Sequence, residues 1–355
     1  MLRKIFSTAI VMSGAFLCYS QDSTEATAKP LISGSVDVYY RYNLNNPKKD
    51  AGTFNNYTSF TNSHNSFELG MASIKFEHAI GKVGVVADLG FGKRAEDFSY
   101  TDEKTMVAIK QAYVTYAPSD KLKFSAGSWA THIGYELVDA YLNRNYSMSY
   151  MFSYGPFFHT GVKADLTLGK TGLMVGIANP SDLKSANFSN KFLIAQLSTS
   201  TKDSKLKAWL NYQGGKPEDS IRTHQFDLVV SSTLSSKFSI GYNGTVSSSS
   251  VKDVTGKFPD GDSWWGSALY LNVDPCSSFG LTLRGEYFDD KKGASAGAFN
   301  ASIFETTLSA NFRIGSLTII PELRLDNANE EIFIKHSGAG TKSTTSALVA
   351  AVYKF

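Results

Sequence analysis

Ile32-Ser33-Gly34-Ser35-Val36-Asp37-Val38-Tyr39-Tyr40-Arg41-Tyr42-Asn43 divides cleanly by parity. In an extended chain, Ile32, Gly34, Val36, Val38, Tyr40 and Tyr42 share one side, and Ser33, Ser35, Asp37, Tyr39, Arg41 and Asn43 share the other. This is a strand with one oily and one wet face. The same two-residue period reaches Phe355, where Ala347, Val349, Ala351, Tyr353 and Phe355 form an apolar row. In an exported chain, strands of this kind point to a transmembrane β-barrel.

Export is read from the first residues. Met1-Leu2-Arg3-Lys4 precedes a mostly apolar stretch from Ile5 to Tyr19, which turns polar at Ser20-Gln21-Asp22-Ser23. This pattern predicts a signal peptide over residues 1–20. A lipoprotein alternative at Cys18 is disfavoured by Leu17, where lipidation calls for a small residue. Residues 21–30 read as a short polar linker, and 31–355 as one barrel domain. So short a linker leaves no room for the plug domain of an energised receptor. No later apolar run is long enough for a membrane helix, which needs about 20 residues. A composition of 42% hydrophobic and 19% charged residues suits a soluble protein or a water-filled barrel equally, because half of each barrel strand faces water. Losing Arg3 and Lys4 with the leader takes the formal charge from +3 to +1, so nucleic acid is not an expected partner. Cys276 would then be the only cysteine left, and no intrachain disulfide could form.

Strands are predicted at roughly 32–44, 67–79, 83–92, 107–117, 122–129, 157–168, 173–179, 191–199, 206–213, 223–232, 237–246, 264–274, 279–288, 301–313, 317–326 and 344–355. The resulting fold class is all-β, an antiparallel barrel of about sixteen strands. Tight turns, such as Gly169-Lys170-Thr171-Gly172 and Ile314-Gly315-Ser316, alternate with long polar connections at 45–66, 93–106, 130–156, 180–190, 214–222, 247–263, 289–300 and 327–343. Short turns on the periplasmic side and long loops outside are the asymmetry of outer-membrane barrels. Aromatics near strand ends, including Tyr40, Tyr42, Phe91, Tyr116, Tyr212, Trp264, Trp265, Tyr287 and Tyr353, fit interfacial girdles. No repeat of 20 to 50 residues suggests a propeller or solenoid.

Several blocks carry a family resemblance. Gly127-Ser128-Trp129-Ala130-Thr131-His132-Ile133-Gly134-Tyr135-Glu136, Asn145-Tyr146-Ser147-Met148-Ser149-Tyr150 and Tyr154-Gly155-Pro156-Phe157-Phe158-His159-Thr160-Gly161-Val162 resemble the OmpL-like beta-barrel porins of Gram-negative bacteria. Leu283-Arg284-Gly285-Glu286-Tyr287-Phe288-Asp289-Asp290 and Pro321-Glu322-Leu323-Arg324-Leu325-Asp326 are similar to that family's last hairpins. The usual Lys-Phe pair of the family is here Ser128-Trp129. The resemblance implies an outer-membrane channel. It also implies that Phe355, with Tyr353, is read by the barrel-assembly machinery. Analogy with porins adds a homotrimer to the expected partners.

Motifs for chemistry are weak. Gly293-Ala294-Ser295-Ala296-Gly297 matches the G-x-S-x-G nucleophile pattern, but it lacks the strand-to-helix elbow that exposes such a serine. Gly169-Lys170-Thr171 lacks the glycine and the helix of a phosphate loop. His64, His78, His132, His159, His224 and His336 are scattered without metal-ligand spacing. The acid pairs Asp289-Asp290 and Glu330-Glu331 read as solvated loop charges before calcium ligands. No catalytic residue, metal or cofactor is therefore expected.

The informative charges stand at wet parity: Asp37, Arg41, Asp88, Lys123, Lys163, Asp165, Asp227, Arg284, Glu286, Glu305, Arg313, Glu322, Arg324 and Asp326, with His159 beside them. Facing lipid at mid-depth, a basic residue costs roughly 2–4 kcal/mol, whereas an interior charge is tolerated. These residues are candidates for lining a pore. The connection 130–156 carries Tyr135, Glu136, Asp139, Arg144, Tyr146 and Tyr150, a set suited to fold inward and narrow the channel, with Glu136 and Asp139 setting a field across it. The expected function is passive diffusion of small hydrophilic solutes across the outer membrane. A structural or adhesive barrel and a barrel hydrolase are the alternatives.

Overall fold

The computed structural model describes residues 29–49 and 54–355. The expected leader and most of the linker lie outside the described residues. The strands are β1 (Leu31–Asn43), β2 (Ser66–Ile80), β3 (Val83–Phe91), β4 (Ile109–Ser119), β5 (Leu122–Ala130), β6 (Phe158–Leu168), β7 (Thr171–Ala178), β8 (Phe192–Ser200) and β9 (Leu206–Glu218). They continue with β10 (Ile221–Thr233), β11 (Phe238–Val251), β12 (Asp262–Cys276), β13 (Phe279–Asp290), β14 (Ala301–Ile314) and β15 (Leu317–Ala328). After these come a small loop hairpin, β16 (Phe333–Ile334) with β17 (Gly340–Thr341), and β18 (Ser343–Lys354). Two short helices, α1 (Lys93–Phe98) and α2 (Tyr150–Tyr154), sit in connections. All strands except β16 and β17 form one closed antiparallel barrel in which each pairs with its chain neighbour and β18 returns to β1. The seam places Val38 opposite Ala351 and Arg41 opposite Leu348. Gly34 and Phe355 exchange backbone hydrogen bonds of 3.1 and 3.0 Å across it. Among the described residues no helix is long and apolar enough to cross a membrane.

Closure follows from the period-two pattern, because each register keeps apolar residues on one side. Val36, Val38, Leu69, Ile74, Val114, Val162, Leu210, Leu283, Leu323 and Val349 are all exposed on the outer wall. In water such a surface would be costly, at roughly 25 cal/mol per Å² of apolar area, and lipid removes that cost. Aromatic pairs mark both rims. Tyr40–Phe67, Tyr212–Phe226 and Trp265–Tyr287 stand at the long-loop end, with centroids 4.8, 4.9 and 5.3 Å apart. Phe279–Phe312 stands at the short-turn end at 5.0 Å.

Two expectations need correction. Trp264 does not join a girdle: it faces inward against Phe288, while its neighbour Trp265 faces out. The connection over 214–222 is not a long loop either. Pairing continues past Gly214-Gly215, with His224 opposite Gly214, to a tight turn at Asp219-Ser220. The glycines mark a close approach within the sheet, where a Cβ on Gly214 would strike the Tyr212 hydroxyl at 2.4 Å.

Cys276 lies exposed at the end of β12, beside the short turn into β13, which places it on the periplasmic side. A maleimide on a polymer too large for the barrel should label it in cells with a permeabilised outer membrane and leave intact cells unlabelled. Labelling of intact cells would invert the topology.

Candidate functional site

Register brings the interior charges together before any loop is considered. Glu286 stands directly opposite Glu305, and Glu305 opposite Asp326. Two residues along the same face, Arg284 is opposite Thr307 and Thr307 opposite Arg324. Carboxylates facing one another across strands repel. The arginines offset this: Arg284 donates from Nε to Glu305 Oε2 at 2.9 Å, and Arg324 donates from Nε to Asp326 Oδ2 at 2.9 Å.

The rest of the compensation comes from the β5–β6 connection, residues 131–157, which enters the barrel and crosses it as a strap. Arg284 Nη1 donates to Glu136 Oε1 at 2.6 Å and to the Ser147 carbonyl at 2.8 Å. Glu286 accepts from the backbone N–H groups of Tyr150 and Met151 at 2.7 and 2.8 Å. Glu322 accepts from the Tyr146 and Ser147 N–H groups at 2.8 and 3.2 Å, and Arg324 donates to the Met148 carbonyl at 2.7 Å. On the strap itself, Ser149 caps α2 by accepting from Phe152 N, while Glu136 accepts from Ser149 N. Irregular backbone inside a barrel has no ladder partner, and these carboxylates take its place.

The strap also reaches the other walls. The Tyr146 hydroxyl donates to Asp37 on β1 at 2.5 Å, beneath the β2 bulge at Gly70, where an added Cβ would lie 1.9 Å from Asp37 Oδ2. Lys110 on β4 bridges Asp88 at 3.0 Å and Asp139 at 2.5 Å. Asp227 accepts from Gly134 N at 3.0 Å. Tyr135 stacks on Tyr270 with centroids 4.2 Å apart, a seat left open because Gly241 has no side chain to meet the Tyr135 ring. Arg144 runs toward the short-turn end and pairs with Asp274, which Arg313 also contacts, both at 2.8 Å.

Each sequence-predicted residue therefore has a place. Asp37, Arg41, Asp88, Lys123, Lys163, Asp165, Asp227, Arg284, Glu286, Glu305, Arg313, Glu322, Arg324 and Asp326 all occupy the inward parity, as does His159. Tyr135, Glu136, Asp139, Arg144, Tyr146 and Tyr150 all lie on the inward strap. Arg41 donates to the carbonyls of Ser63 and Asn55, so its charge braces another loop. The expected field across the pore takes a different form: Glu136 is matched by Arg284 and Asp139 by Lys110 at contact distance, so neither is a free charge. Interior charges that keep partial exposure include Lys163 and Asp165, at 20% and 28%, the Lys75–Glu77 pair, and the Arg144–Asp274–Arg313 group, at about 30%. At mid-depth, Tyr146, Tyr150, Arg284, Glu286 and Glu305 are fully buried.

The fold joins other residues that sequence spacing kept apart. His132 and His159 approach to 4.9 Å between rings, and His159 Nε2 lies 3.0 Å from Thr131 Oγ1. Among the described residues no cluster of three or more His, Cys, Asp or Glu is placed to hold a metal. Ser295 donates to Asp290 at 2.7 Å inside a turn that Asp290 organises, so Asp290 is buried and not a solvated loop charge. Lys110 and Arg94 were missed at sequence level. Arg94 lies in α1, buried between the Phe60 and Tyr146 rings at 4.9 and 4.7 Å, and nothing local in the sequence signals this.

Comparison with known proteins follows the same line. The family model described as "Putative beta-barrel porin-2, OmpL-like" matches residues 31–355, and the chain belongs to that family. Solved structures agree in fold. The outer membrane channel DcaP of Acinetobacter baumannii aligns with a TM-score of 0.61 at 13% identity, covering 95% of this chain and 100% of that one. The anion-selective porin from Comamonas acidovorans aligns at 0.59 and 10% identity, covering 92% of this chain and 99% of that one. OmpT of Vibrio cholerae in its trimer form aligns at 0.58 and 10% identity, again covering 92% and 99%. No curated protein sequence matches the chain. The protein is a porin-like barrel of the Gram-negative outer membrane.

Two outcomes test how the strap is held. Arg284→Met leaves Glu136 and Glu305 buried without their cation, a loss on the order of 3–5 kcal/mol, and hydrogen exchange over residues 146–151 should rise sharply while the barrel strands stay protected. Asp182, in the β7–β8 connection, accepts from Phe157 N and Phe158 N at 2.7 and 2.9 Å where the strap rejoins the wall. Burial pushes its carboxyl up to about 6, against the lowering by those N–H groups. Because the folded value is raised, the folded state binds the extra proton: local stability is greatest below the unfolded value of about 3.9 and falls as pH rises through about 6. Exchange at 157–158, corrected for intrinsic rate, should increase from pH 4.5 to 7, and Asp182→Asn should flatten that dependence.

Proposed function

We propose that the protein is a channel through which small hydrophilic solutes diffuse passively, with the 131–157 strap as its constriction. The supporting observation is the strap itself, docked inside the barrel on interior charges at mid-depth. Polar walls at both mouths hydrate a solute, and the strap sets the narrowest passage by size. The pore-lining candidates with room to meet a solute are Lys163 and Asp165 at the short-turn side, joined by Arg144 and Arg313. Residues such as Arg284, Glu286, Glu305, Glu322 and Arg324 act through the strap they hold. Two partners belong to the same reading: the barrel-assembly machinery, engaging the strand that ends in Tyr353 and Phe355, and two further copies in a trimer, the form in which OmpT of Vibrio cholerae has been solved.

The close packing of the strap favours one other reading, a structural or adhesive barrel without conduction. A planar-bilayer recording separates the two. The intact protein should give small unit currents, and deletion of residues 137–149 should enlarge them several-fold. Silence from both proteins would overturn the channel and leave the scaffold.

A further inference from the structure

The outer wall carries a second site, remote from the strap. Phe258, in the β11–β12 connection, is approached by three cations: Arg222 with Cζ 4.9 Å from the ring centroid, Lys216 with Nζ at 5.2 Å and Lys252 with Nζ at 5.6 Å. Among the described residues none of the three cations forms an ion pair: the acids of the same turn and loop, including exposed Glu218 and Asp260, do not reach them, and the others are held elsewhere. Asp253 accepts from Thr255 N and Lys257 N in its own turn, at 2.8 and 3.0 Å. Asp219 accepts from Asn190 at 3.1 Å, and Asp262 pairs with Lys292 at 3.4 Å. Three like charges around one ring repel one another, and the ring's weak attraction does not neutralise them.

Their position identifies what does. Arg222 shares the outward parity of β10 with His224 and Phe226, and Lys216 sits at the β9 bulge just beyond outward Leu210 and Tyr212, with its ammonium beside the same Phe258 ring. Toward the membrane lies the aromatic pair Tyr212–Phe226, then exposed Leu210, Leu228 and Val246. Cations stacked over an interfacial girdle, above an apolar wall, lie at the depth of lipid headgroups. We propose that this face binds a phosphorylated lipid headgroup of the outer leaflet. Arg222 supplies a two-pronged contact to phosphate, and Lys216 and Lys252 flank it as point charges. Phe258 holds the three heads in one place, and the acyl chains lie along Leu210, Phe226 and Val246. The proposal uses only the membrane placement of the barrel and is independent of conduction.

Native mass spectrometry of the full barrel in neutral detergent tests it, with diphosphoryl lipid A as the probe. The wild type should retain the lipid, and K216A/R222A/K252A should bind it about a hundredfold more weakly. R222Q alone should lie between them, and heat-modifiable gel migration should show every variant folded. Equal retention by wild type and triple variant overturns the proposal, as does equal binding of the dephosphorylated lipid. Displacement by millimolar inorganic phosphate would assign a free-anion site and overturn it too.

Discussion

The filled interior depends on one buried guanidinium. Arg284 joins the wall carboxylate Glu305 to the strap carboxylate Glu136, and donates to the strap backbone at Ser147. Without it, the facing acids of β13 and β14 would be a repulsive pair in a low-dielectric setting, and the strap would lose the cation that both sides share. The neighbouring acids follow the same scheme. Glu286 and Glu322 each receive two consecutive strap amides, so the wall's negative charge is satisfied by a segment that needs acceptors. Wall and strap are each incomplete alone.

This division of labour sorts the interior charges into two kinds. Those facing β12 to β15 are largely consumed in holding the strap. Those that keep contact with water, such as Lys163, Asp165 and Arg313, lie nearer the short-turn mouth. The formal net charge of +3 therefore says little about the passage, because most interior charges are matched to one another.

Much of the barrel was legible from residue parity. The row from Ile32 to Asn43 predicts which side of β1 meets lipid, and Glu305 and Arg324 were placed inward by the same reasoning. Parity places the row from Ala347 to Phe355 outward as read, but it does not explain the other face of that strand. On β18 the inward residues Leu348, Ala350 and Val352 pack with Ile320, Ala140 and Tyr146, so the strand is oily on both sides, and only the strap explains why. Pattern reading fails at Gly214-Gly215, where turn-like composition hides continued pairing. The strap residues were recognisable as a set, since tyrosines, acids and an arginine crowd one long connection. Their partners were not, because Glu136 meets Arg284 across 148 positions and Tyr150 meets Asp326 across 176. No local signal reaches so far.

The strap leaves the chain after β5, while its seat is built from β12 to β15. Closing contacts of such long sequence separation is slow. The strap therefore cannot seat until β13 and β15 stand in place, because Glu286, Glu322 and Arg324 that hold it lie on those strands. Its apolar residues, Val138, Met148, Met151 and Phe152 among them, find cover only in the finished barrel, so the cylinder comes first and its contents last.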